Sequence, residues 1–448
     1  MSDEEVNISY QDAFEKQVAK IPEVVFRSII SQKIDQQGIK LTDAVFNELI
    51  AYLMQGGKGS FSIPDEAIDF IDGKPKNLKL KFTKKDKKEL KRRAKAFEKS
   101  LPKLIQKLAK KFSKSITKRS RLQWLEDYPL RQSQKDRFEA RLRYRWSAGL
   151  IPLNIMMEVT REFSQSILSR HEDTIDSEDF SLTLDTLLGL HVRACQVTAE
   201  IINLLEAGYA DGAMARWRTL HELAVVADLI HDEGDELARR YLDHNIIDQK
   251  KAADKYMEVV KVTDYAPISD SELHQLEKDY QNALDKHGND FRREYGWASN
   301  VIGNPNPKFV DLIKKTNRET LQSYYKMASF NVHANSRSLF YRQTSMASHS
   351  GLIAGSSNAG IEEPAIQTAY ILCQITSNLT SNIDTTLDDL IALQTLVRLR
   401  DKANKGFNEA ARQLDEEDQE YLELSEQYSN FDIVDIEQFD KLGVENSI

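Results

Sequence analysis

One stretch of this 448-residue chain places charged side chains among apolar ones at a spacing that suits chemistry. The sequence AMARWRTLHELAV contains Arg216, Arg218, His221 and Glu222. Arg218 and Glu222 lie four residues apart, so on a helix their side chains can form a bidentate ion pair. Because such a pair is costly to desolvate without further partners, two interpretations stay open. One is a structural ion pair inside a helical bundle, and the other is an anion site at which Glu222 orients Arg218 towards a phosphate.

A second segment carries hydroxyl, imidazole and amide groups. Tyr325, Ser329 and His333 follow one another at four-residue steps and therefore share one helical face, and Asn335 lies at the end of that helix. These groups could handle a ribose or a phosphate. Since histidine titrates near neutral pH, His333 could act as a general acid or base. The structural alternative is that its ring caps a helix carbonyl.

These two segments are the polar clusters on otherwise apolar predicted helices. Buried polar groups must find partners. We therefore expect the two helices to pack side by side, so that Arg218, Glu222 and His333 meet.

Other signatures of catalysis or cofactor binding are missing from the sequence. It contains no GxGxxG or GxxxxGK[ST] loop, and no HExxH or GxSxG motif. His221, Asp228 and His231 share a helical face, but they spread over about 15 Å, which is too far for one ion. We therefore predict no metal site and no cofactor.

Composition indicates the fold class and the compartment. Gly (18) and Pro (10) are sparse, which favours long helices over a turn-rich β fold. Cys195 and Cys373 lie far apart in helix-like contexts, so free thiols in a reducing compartment are expected rather than a disulfide framework. The acidic N-terminus does not resemble a signal peptide, and no run of 18 apolar residues occurs. The sequence predicts a mainly α, cytoplasmic protein.

The net charge of −9 hides a strong asymmetry. Residues 74–121 contain 21 Lys and Arg against three acids, whereas residues 413–448 contain 12 acids and one Lys. The basic stretch is predicted to form an amphipathic helix from about Lys84 to Lys111, kinked or split at Pro102, with nucleic acid or anionic lipid as its partner. The alternative is that the acidic tail neutralises it, within the protein or across a dimer. The side chains expected to contact a polyanion are Lys84, Lys85, Lys88, Arg92 and Arg93.

Apolar periodicity and breaks in it divide the chain into parts. The apolar stripe of the basic helix is expected to pack on Ile29 and Leu49, and one long helix is expected from Pro364 to about Val397. The predicted parts are an N-terminal helical region (1–121) with a basic helix (84–121), a cationic linker (122–150), a helical bundle (151–400) and an acidic tail (401–448).

The two polar segments, together with Trp297 and the sequence LEAG that ends at Gly208, resemble a bacterial helical family of unknown function. In that family an Arg-Thr/Ser-Leu-x-Glu helix is followed much later by a Tyr-x-x-x-Ser-x-x-x-His helix. The resemblance covers about residues 180–400. Such domains look like the HEPN superfamily (higher eukaryotes and prokaryotes nucleotide-binding), helical bundles that often act as ribonucleases in toxin and phage-defence systems. Arg216 and His221 match the HEPN signature, although Trp217 replaces the usual polar residue after the Arg.

The resemblance implies a HEPN-like bundle over residues 151–400 and a metal-independent ribonuclease or RNA-directed toxin of a bacterial defence system. A homodimer would bring two active sites together. The basic helix would supply sequence-independent affinity for RNA, which we expect as partner rather than DNA or a membrane. The implied catalytic residues are Arg218, His333, Glu222, Arg216 and His221, and Tyr325, Ser329 and Asn335 would bind substrate.

Two alternatives of other classes remain. The protein could be a non-catalytic nucleic-acid-binding or assembly protein whose Arg-Glu-His cluster is structural, or a sensor of a nucleotide ligand. The spatial arrangement separates them in part. A histidine that meets Arg216 or Arg218 in an open cleft favours catalysis, whereas complete burial and mutual pairing favour a structural role.

Overall fold

The computed structural model describes residues 10–57, 60–61, 68–70, 80–173, 175, 180–333, 336–339, 353–380 and 383–429. Over these residues the protein is mainly α-helical, as the composition predicted, and its strands form one short antiparallel pair. The described helices include none with the length and apolarity needed to cross a membrane. The chain divides into two compact units, Met1–Pro129 and Leu130–Ile448.

The first unit surrounds a small apolar cluster. Strand β1 pairs antiparallel with β2, and Ile39 lies opposite Phe70. Ile30 and Ile34 of the second helix pack with Ile39 and with Leu49 and Ile50 of the third. The elements are α1 (Tyr10–Ala19), α2 (Ile21–Asp35), β1 (Ile39–Leu41), α3 (Asp43–Met54), β2 (Ile68–Phe70) and the greater part of α4 (Lys84–Arg145).

Helix α4 corrects two expectations. It is neither split at Pro102 nor followed by a linker, because it continues past Pro102 and Pro129 as far as Arg145, and the next helix begins at Ser147. Proline removes one N–H and leaves the carbonyl four residues earlier without a partner. The helix around Pro102 is largely exposed, so that carbonyl can bond to water.

The apolar stripe of α4 is less covered than expected. Leu104, Ile105 and Phe112 remain exposed, so their predicted burial against Ile29 and Leu49 is wrong. The small cluster of the first unit is completed by side chains of α2, α3 and β1, and by partly buried neighbours outside α4. Tyr10 of α1 does reach the stripe, with its ring centroid 5.1 Å from that of Phe112.

The second unit is a larger helical bundle. Helix α7 packs against α6, α12, α13 and α14, and α15 packs along α5 and α14. Its core buries Trp146, Trp217 and Phe407 completely. The helices are α5 (Ser147–Glu172), α6 (Leu182–Glu206), α7 (Ala210–Glu233), α8 (Asp235–Asp243), α9 (Asn245–Val260), α10 (Asp270–His287), α11 (Ser299–Ile302), α12 (Phe309–Lys315), α13 (Gln322–Val332), α14 (Glu362–Thr380) and α15 (Leu387–Ser429).

The single long helix expected from Pro364 to Val397 is in fact two helices, α14 and α15. The sequence TLDD marks the start of α15, because the Thr386 hydroxyl accepts from the backbone N–H of Asp389 while the Asp389 carboxylate accepts from that of Thr386. This reciprocal cap satisfies two groups at the new helix start. The acidic segment expected as a tail from residue 401 continues α15 as helix to Ser429, and residues 430–448 lie outside the described part.

Candidate functional site

Helices α7 and α13 bring the two polar segments of the sequence together, as predicted. Arg218 of α7 lies at the centre of the cluster. Its Nε donates to Glu222 Oε1 at 3.0 Å, Nη2 donates to the Tyr325 hydroxyl at 2.7 Å, and Nη1 lies 3.2 Å from His333 Nε2. Two pairs of groups about a hundred residues apart in sequence therefore form one network, which we call the Arg218 cluster: Arg218, Glu222, Tyr325 and His333.

Tyr325 fixes the plane of the guanidinium. The Arg218 Cζ lies 4.6 Å from the centroid of the Tyr325 ring, and the Tyr325 hydroxyl donates to Glu222 Oε1 at 2.8 Å. Burial, together with the hydrogen bond to the Glu222 carboxylate, raises the pKa of Tyr325 to about 12. The hydroxyl therefore keeps its proton at neutral pH and links the arginine to the glutamate.

His333 occupies the open end of the cluster. It follows the last residue of α13, its backbone N–H bonds to Ser329 O at 3.0 Å, and its side chain is exposed. An arginine can only donate, so His333 Nε2 must be the acceptor and the ring is neutral in this arrangement. Its ring therefore contacts Arg218 and does not cap a helix carbonyl.

Two further residues of the second segment do not join the cluster. The Ser329 hydroxyl donates to Tyr325 O at 2.8 Å, inside its own helix, so its expected role in substrate binding is not supported. This backbone bond is a common alternative for serine in a helix. Asn335 lies outside the described residues.

The HEPN-type pair is not assembled. Arg216 points to α6, where its Nε donates to Glu200, and its Nη1 lies 3.4 Å from the Thr219 hydroxyl. His221 is completely buried, stacked on Trp217 with the ring centroids 5.3 Å apart. Successive positions on a helix point in different directions, which explains why these neighbours separate from Arg218.

His221 is a buried polar side chain without a hydrogen bond to any described residue, at Nδ1 or at Nε2. Burial, with a smaller contribution from the charge of Arg318, lowers its pKa to about 3. Phe309 and Tyr325 also lie against the ring, in edge-on and tilted orientations with centroid distances of 6.2 Å and 5.8 Å. A neutral, enclosed imidazole of this kind cannot exchange protons with a substrate.

A layer of aromatic side chains packs against Tyr325 of the cluster. Phe309 of α12 lies 5.0 Å from Tyr325 and 6.0 Å from Tyr295, measured between ring centroids. Burial, with the nearby charges of Glu294 and Glu222, raises the pKa of Tyr295. The sequence reasoning missed this layer, although Tyr295, Trp297 and Phe309 form an aromatic-rich stretch that could have suggested it.

Arg318 anchors the start of α13. This nearly buried arginine donates through Nε to Asp228 of α7 and through Nη1 to Gln374 of α14 at 2.7 Å. Asn378 of α14 also donates to Asp228 at 2.8 Å. The ion pair therefore fixes the start of α13 against α7 and α14, which places Tyr325 and His333 beside Arg218.

A second polar cluster lies away from the Arg218 cluster and was not predicted. Arg240 donates to the carbonyl of Trp297 at 2.9 Å, and its Nη1 lies 3.3 Å from His287 Nδ1. His287 Nε2 lies 2.7 Å from Asp243, which also accepts from Lys286. The network ties the turn before α11 to α8 and α10, so its role is to hold the fold. The described residues bring together no group of three or more His, Cys, Asp or Glu suited to a metal ion.

The basic residues expected to contact a polyanion lie on the first turns of α4. Lys84, Lys85 and Lys88 are exposed, whereas Arg92 and Arg93 both bond to Glu89, with Nε–Oε distances of 2.8 Å and 2.9 Å. These two hydrogen bonds lower the pKa of Glu89 to about 2. The two arginines therefore form ion pairs with Glu89, whereas no described carboxylate pairs with the three lysines.

Residues 184–351 match a protein family described as a family of unknown function, DUF5677. The matched stretch contains both helices of the Arg218 cluster, α7 and α13. It carries no link to the HEPN superfamily. Neither a curated protein nor a solved structure matches the chain.

Proposed function

We propose that the protein is a metal-independent ribonuclease, an RNA-directed toxin of a bacterial defence system against phage, with its chemistry at Arg218 and His333. The observation that carries the proposal is the contact between Arg218 Nη1 and the neutral, exposed His333 Nε2. RNA cleavage needs a base that deprotonates the 2′-hydroxyl and a cation that stabilises the phosphorane, and here a neutral imidazole and a guanidinium lie in contact. The HEPN-like character of the bundle is part of the proposal, with Arg218 and His333 in place of Arg216 and His221.

Each group has a defined task. His333 Nε2 takes the proton from the 2′-hydroxyl, the 2′ oxygen forms a bond to phosphorus, and the bond from phosphorus to the 5′ oxygen breaks. The leaving oxygen takes a proton from water, so the products are a 2′,3′-cyclic phosphate and a 5′-hydroxyl. Arg218 stabilises the charge on the phosphorane oxygens, while Glu222 and Tyr325 hold the guanidinium in place.

The first experiment incubates purified protein with total RNA and with tRNA, in the presence and absence of EDTA. We expect cleavage that persists in EDTA and leaves cyclic phosphate ends. His333→Ala and Arg218→Ala should each lower the rate by about 10²- to 10⁴-fold, the usual effect of removing an acid–base or electrostatic group. Their melting temperatures should stay near that of the wild type.

His274→Ala is the matched control, because His274 is an exposed histidine whose Nδ1 bonds within its own helix, 2.7 Å from Asp270 O. It should cleave like the wild type. Full activity in His333→Ala, or cleavage abolished by EDTA, would contradict the proposal.

The competing function is a non-catalytic nucleic-acid-binding protein with a structural cluster. It is favoured by the partners of Arg218, since Nε, Nη1 and Nη2 each contact a protein group through one of their N–H groups. In that case Glu222→Ala should lower the free energy of unfolding by about 2 kcal/mol, because it leaves a half-buried arginine without its counter-charge. RNA would then be bound but not cleaved, which a gel assay on the same variants would show.

A further inference from the structure

The guanidinium of Arg218 has more donors than the protein uses. Arginine carries five N–H groups, and three of them serve Glu222, Tyr325 and His333. The other two, one on each terminal nitrogen, bond to no described residue. About a fifth (22%) of the side chain is exposed, and its contact with His333 is exposed, whereas its contacts with Glu222 and Tyr325 are partly buried.

His333 can hold its present position only while it is neutral. Its Nε2 accepts from Arg218 Nη1 at 3.2 Å, and a protonated imidazole has no acceptor. Protonation would therefore end this contact and turn Nε2 into a donor beside a second donor. Two donors that converge on one point are the arrangement that binds an oxyanion.

The charges of the cluster lead to the same conclusion. His333 contacts Arg218, whose partners are Glu222 from α7 and the neutral Tyr325 from α13. Of the charged groups around the cluster, Glu294 lies beside Tyr295, and Arg337, in the turn after His333, lies with its guanidinium over the Phe330 ring. Among these described groups, Arg218 and Glu222 cancel. The cluster is neutral with a neutral His333 and gains one positive charge when that ring takes up a proton.

We infer that the Arg218 cluster is a phosphate-binding site that takes up a proton as it binds. With no anion bound, the neutral His333 closes the site by accepting from Arg218. When a phosphate dianion binds, the protonated His333 and Arg218 both donate to its oxygens, and Tyr325 and Glu222 keep the guanidinium oriented. In the proposed cleavage, RNA binds to the neutral His333 and the ring's proton is the one it takes from the 2′-hydroxyl, so the same two donors then meet the charged phosphorane. The inference rests on the proposed function in that it names the ligand chemistry of the same cluster.

Sulfate is the direct probe, because it stays a dianion throughout the relevant pH range. Calorimetric titration of the full-length protein with sulfate in a constant chloride background should give an affinity that rises about tenfold from pH 7.5 to pH 5.5, since one proton is taken up with the anion. His333→Asn should bind sulfate with little dependence on pH. Arg218→Gln should lose this binding, while sulfate bound elsewhere, on the basic helix α4 for example, is common to all variants.

Arg216→Gln is the matched control, since Arg216 lies on the same helix but bonds to Glu200. It should bind sulfate with the affinity and pH dependence of the wild type. Binding that does not depend on pH in the wild type, or that survives in Arg218→Gln, would overturn the inference.

The source of the phosphate is tested with 2′-O-methyl RNA octamers, which cannot be cleaved. An Arg218→Gln effect on octamers with and without a 5′-phosphate indicates a phosphodiester of the backbone, and an effect only on the phosphorylated octamer indicates a terminal monoester. No effect on either contradicts a phosphate ligand. Sulfate binding without RNA cleavage would refute the proposed function alone, and cleavage without Arg218-dependent sulfate binding would refute this inference alone.

Discussion

Two histidines of the second unit show how differently the same side chain can be buried. His191 Nε2 lies 3.0 Å from the Thr376 hydroxyl, and its Nδ1 lies 3.7 Å from Cys195 Sγ. Because Thr376 itself donates to Leu372 O, His191 is the donor in the first contact. His221 is equally buried but bonds to no described residue. An unsatisfied buried imidazole costs free energy, so His221 is a weak point of the fold.

The first prediction at this scale concerns acid. Burial lowers the pKa of His221 to about 3, against 6.5 in an unfolded chain. Below pH 6.5 the unfolded state therefore binds a proton that the folded state does not, and the free energy of unfolding falls as the pH falls. From pH 7 to pH 4.5 this one group should remove about 2 kcal/mol.

His221→Phe isolates that effect, because phenylalanine fills the same aromatic site without a titratable group. Urea unfolding at pH 7 and pH 4.5 should show a smaller loss in His221→Phe than in the wild type, by about 2 kcal/mol. Carboxylates and His191 contribute equally to both proteins and cancel in the comparison. Identical losses in the two proteins would show that His221 does not titrate in this window.

The residues of the site could be predicted in part from the sequence. Arg218, Glu222 and His333 were expected to meet because polar groups on apolar helices need partners, and they do. Ser329 could not be assigned, because a helical serine chooses between a tertiary partner and its own backbone by small differences in geometry. Arg216 lies apart from the cluster and bonds to Glu200, because two residues along a helix correspond to a large rotation about its axis.

At the scale of the elements, the close contact between α5 and α15 determines the packing of the bundle. Gly149 and Gly406 lie where these helices cross, and a Cβ on Gly149 would lie 2.5 Å from the Phe407 ring. A Cβ on Gly406 would overlap the backbone of Ala148. The absence of side chains at these two positions allows the backbones to touch, as small residues do at close helix crossings.

We expect Gly406→Ala to destabilise the protein by about 3 kcal/mol, because rigid backbone, unlike a side chain, cannot move aside for the added methyl group. Gly189→Ala on α6 is the matched control, since a Cβ there meets nothing within 4 Å. It should stabilise by up to about 1 kcal/mol through the loss of backbone freedom in the unfolded chain. Chemical denaturation of both variants tests the pair, and equal effects would mean that α5 and α15 do not pack this closely.

Helix types were easier to predict than helix ends. The apolar periodicity of the sequence predicts a helix at 271–286, and α10 spans Asp270–His287. The break between α14 and α15 was missed because the apolar stripe runs on through it, although the Thr386–Asp389 capping pair was legible in the sequence. The continuity of α4 was missed because Pro102 predicts a break in the helix. On an exposed helix, a proline destabilises the helix less, since water can bond to the carbonyl that the proline leaves without a partner.

At the scale of the whole molecule, charge is distributed very unevenly along the chain. The 21 basic residues between positions 74 and 121 contrast with a net charge of −9 for the protein. On α4 most of the described basic side chains are exposed, next to apolar side chains such as Leu104 and Ile105 that are also exposed. A surface with this charge density attracts polyanions regardless of sequence, because binding releases condensed counterions.

The last prediction concerns this helix. Replacing Lys84, Lys85, Lys87, Lys88, Lys91, Arg92 and Arg93 with Gln should weaken RNA binding strongly and flatten its dependence on salt, because each lost phosphate contact lowers the slope of log K against log salt by about 0.7 for single strands.

A control with Gln at Lys251, Lys255, Lys261, Lys278, Lys314, Lys402 and Lys405, exposed lysines of the second unit, changes the net charge equally. If net charge alone governed binding, both variants would weaken alike. If α4 is the binding surface, only the first should lose affinity and slope in filter-binding titrations between 50 and 200 mM salt. An unchanged slope in the first variant would contradict an RNA-binding role for α4, and liposome co-sedimentation with the same pair of variants would then test an anionic membrane as the alternative target.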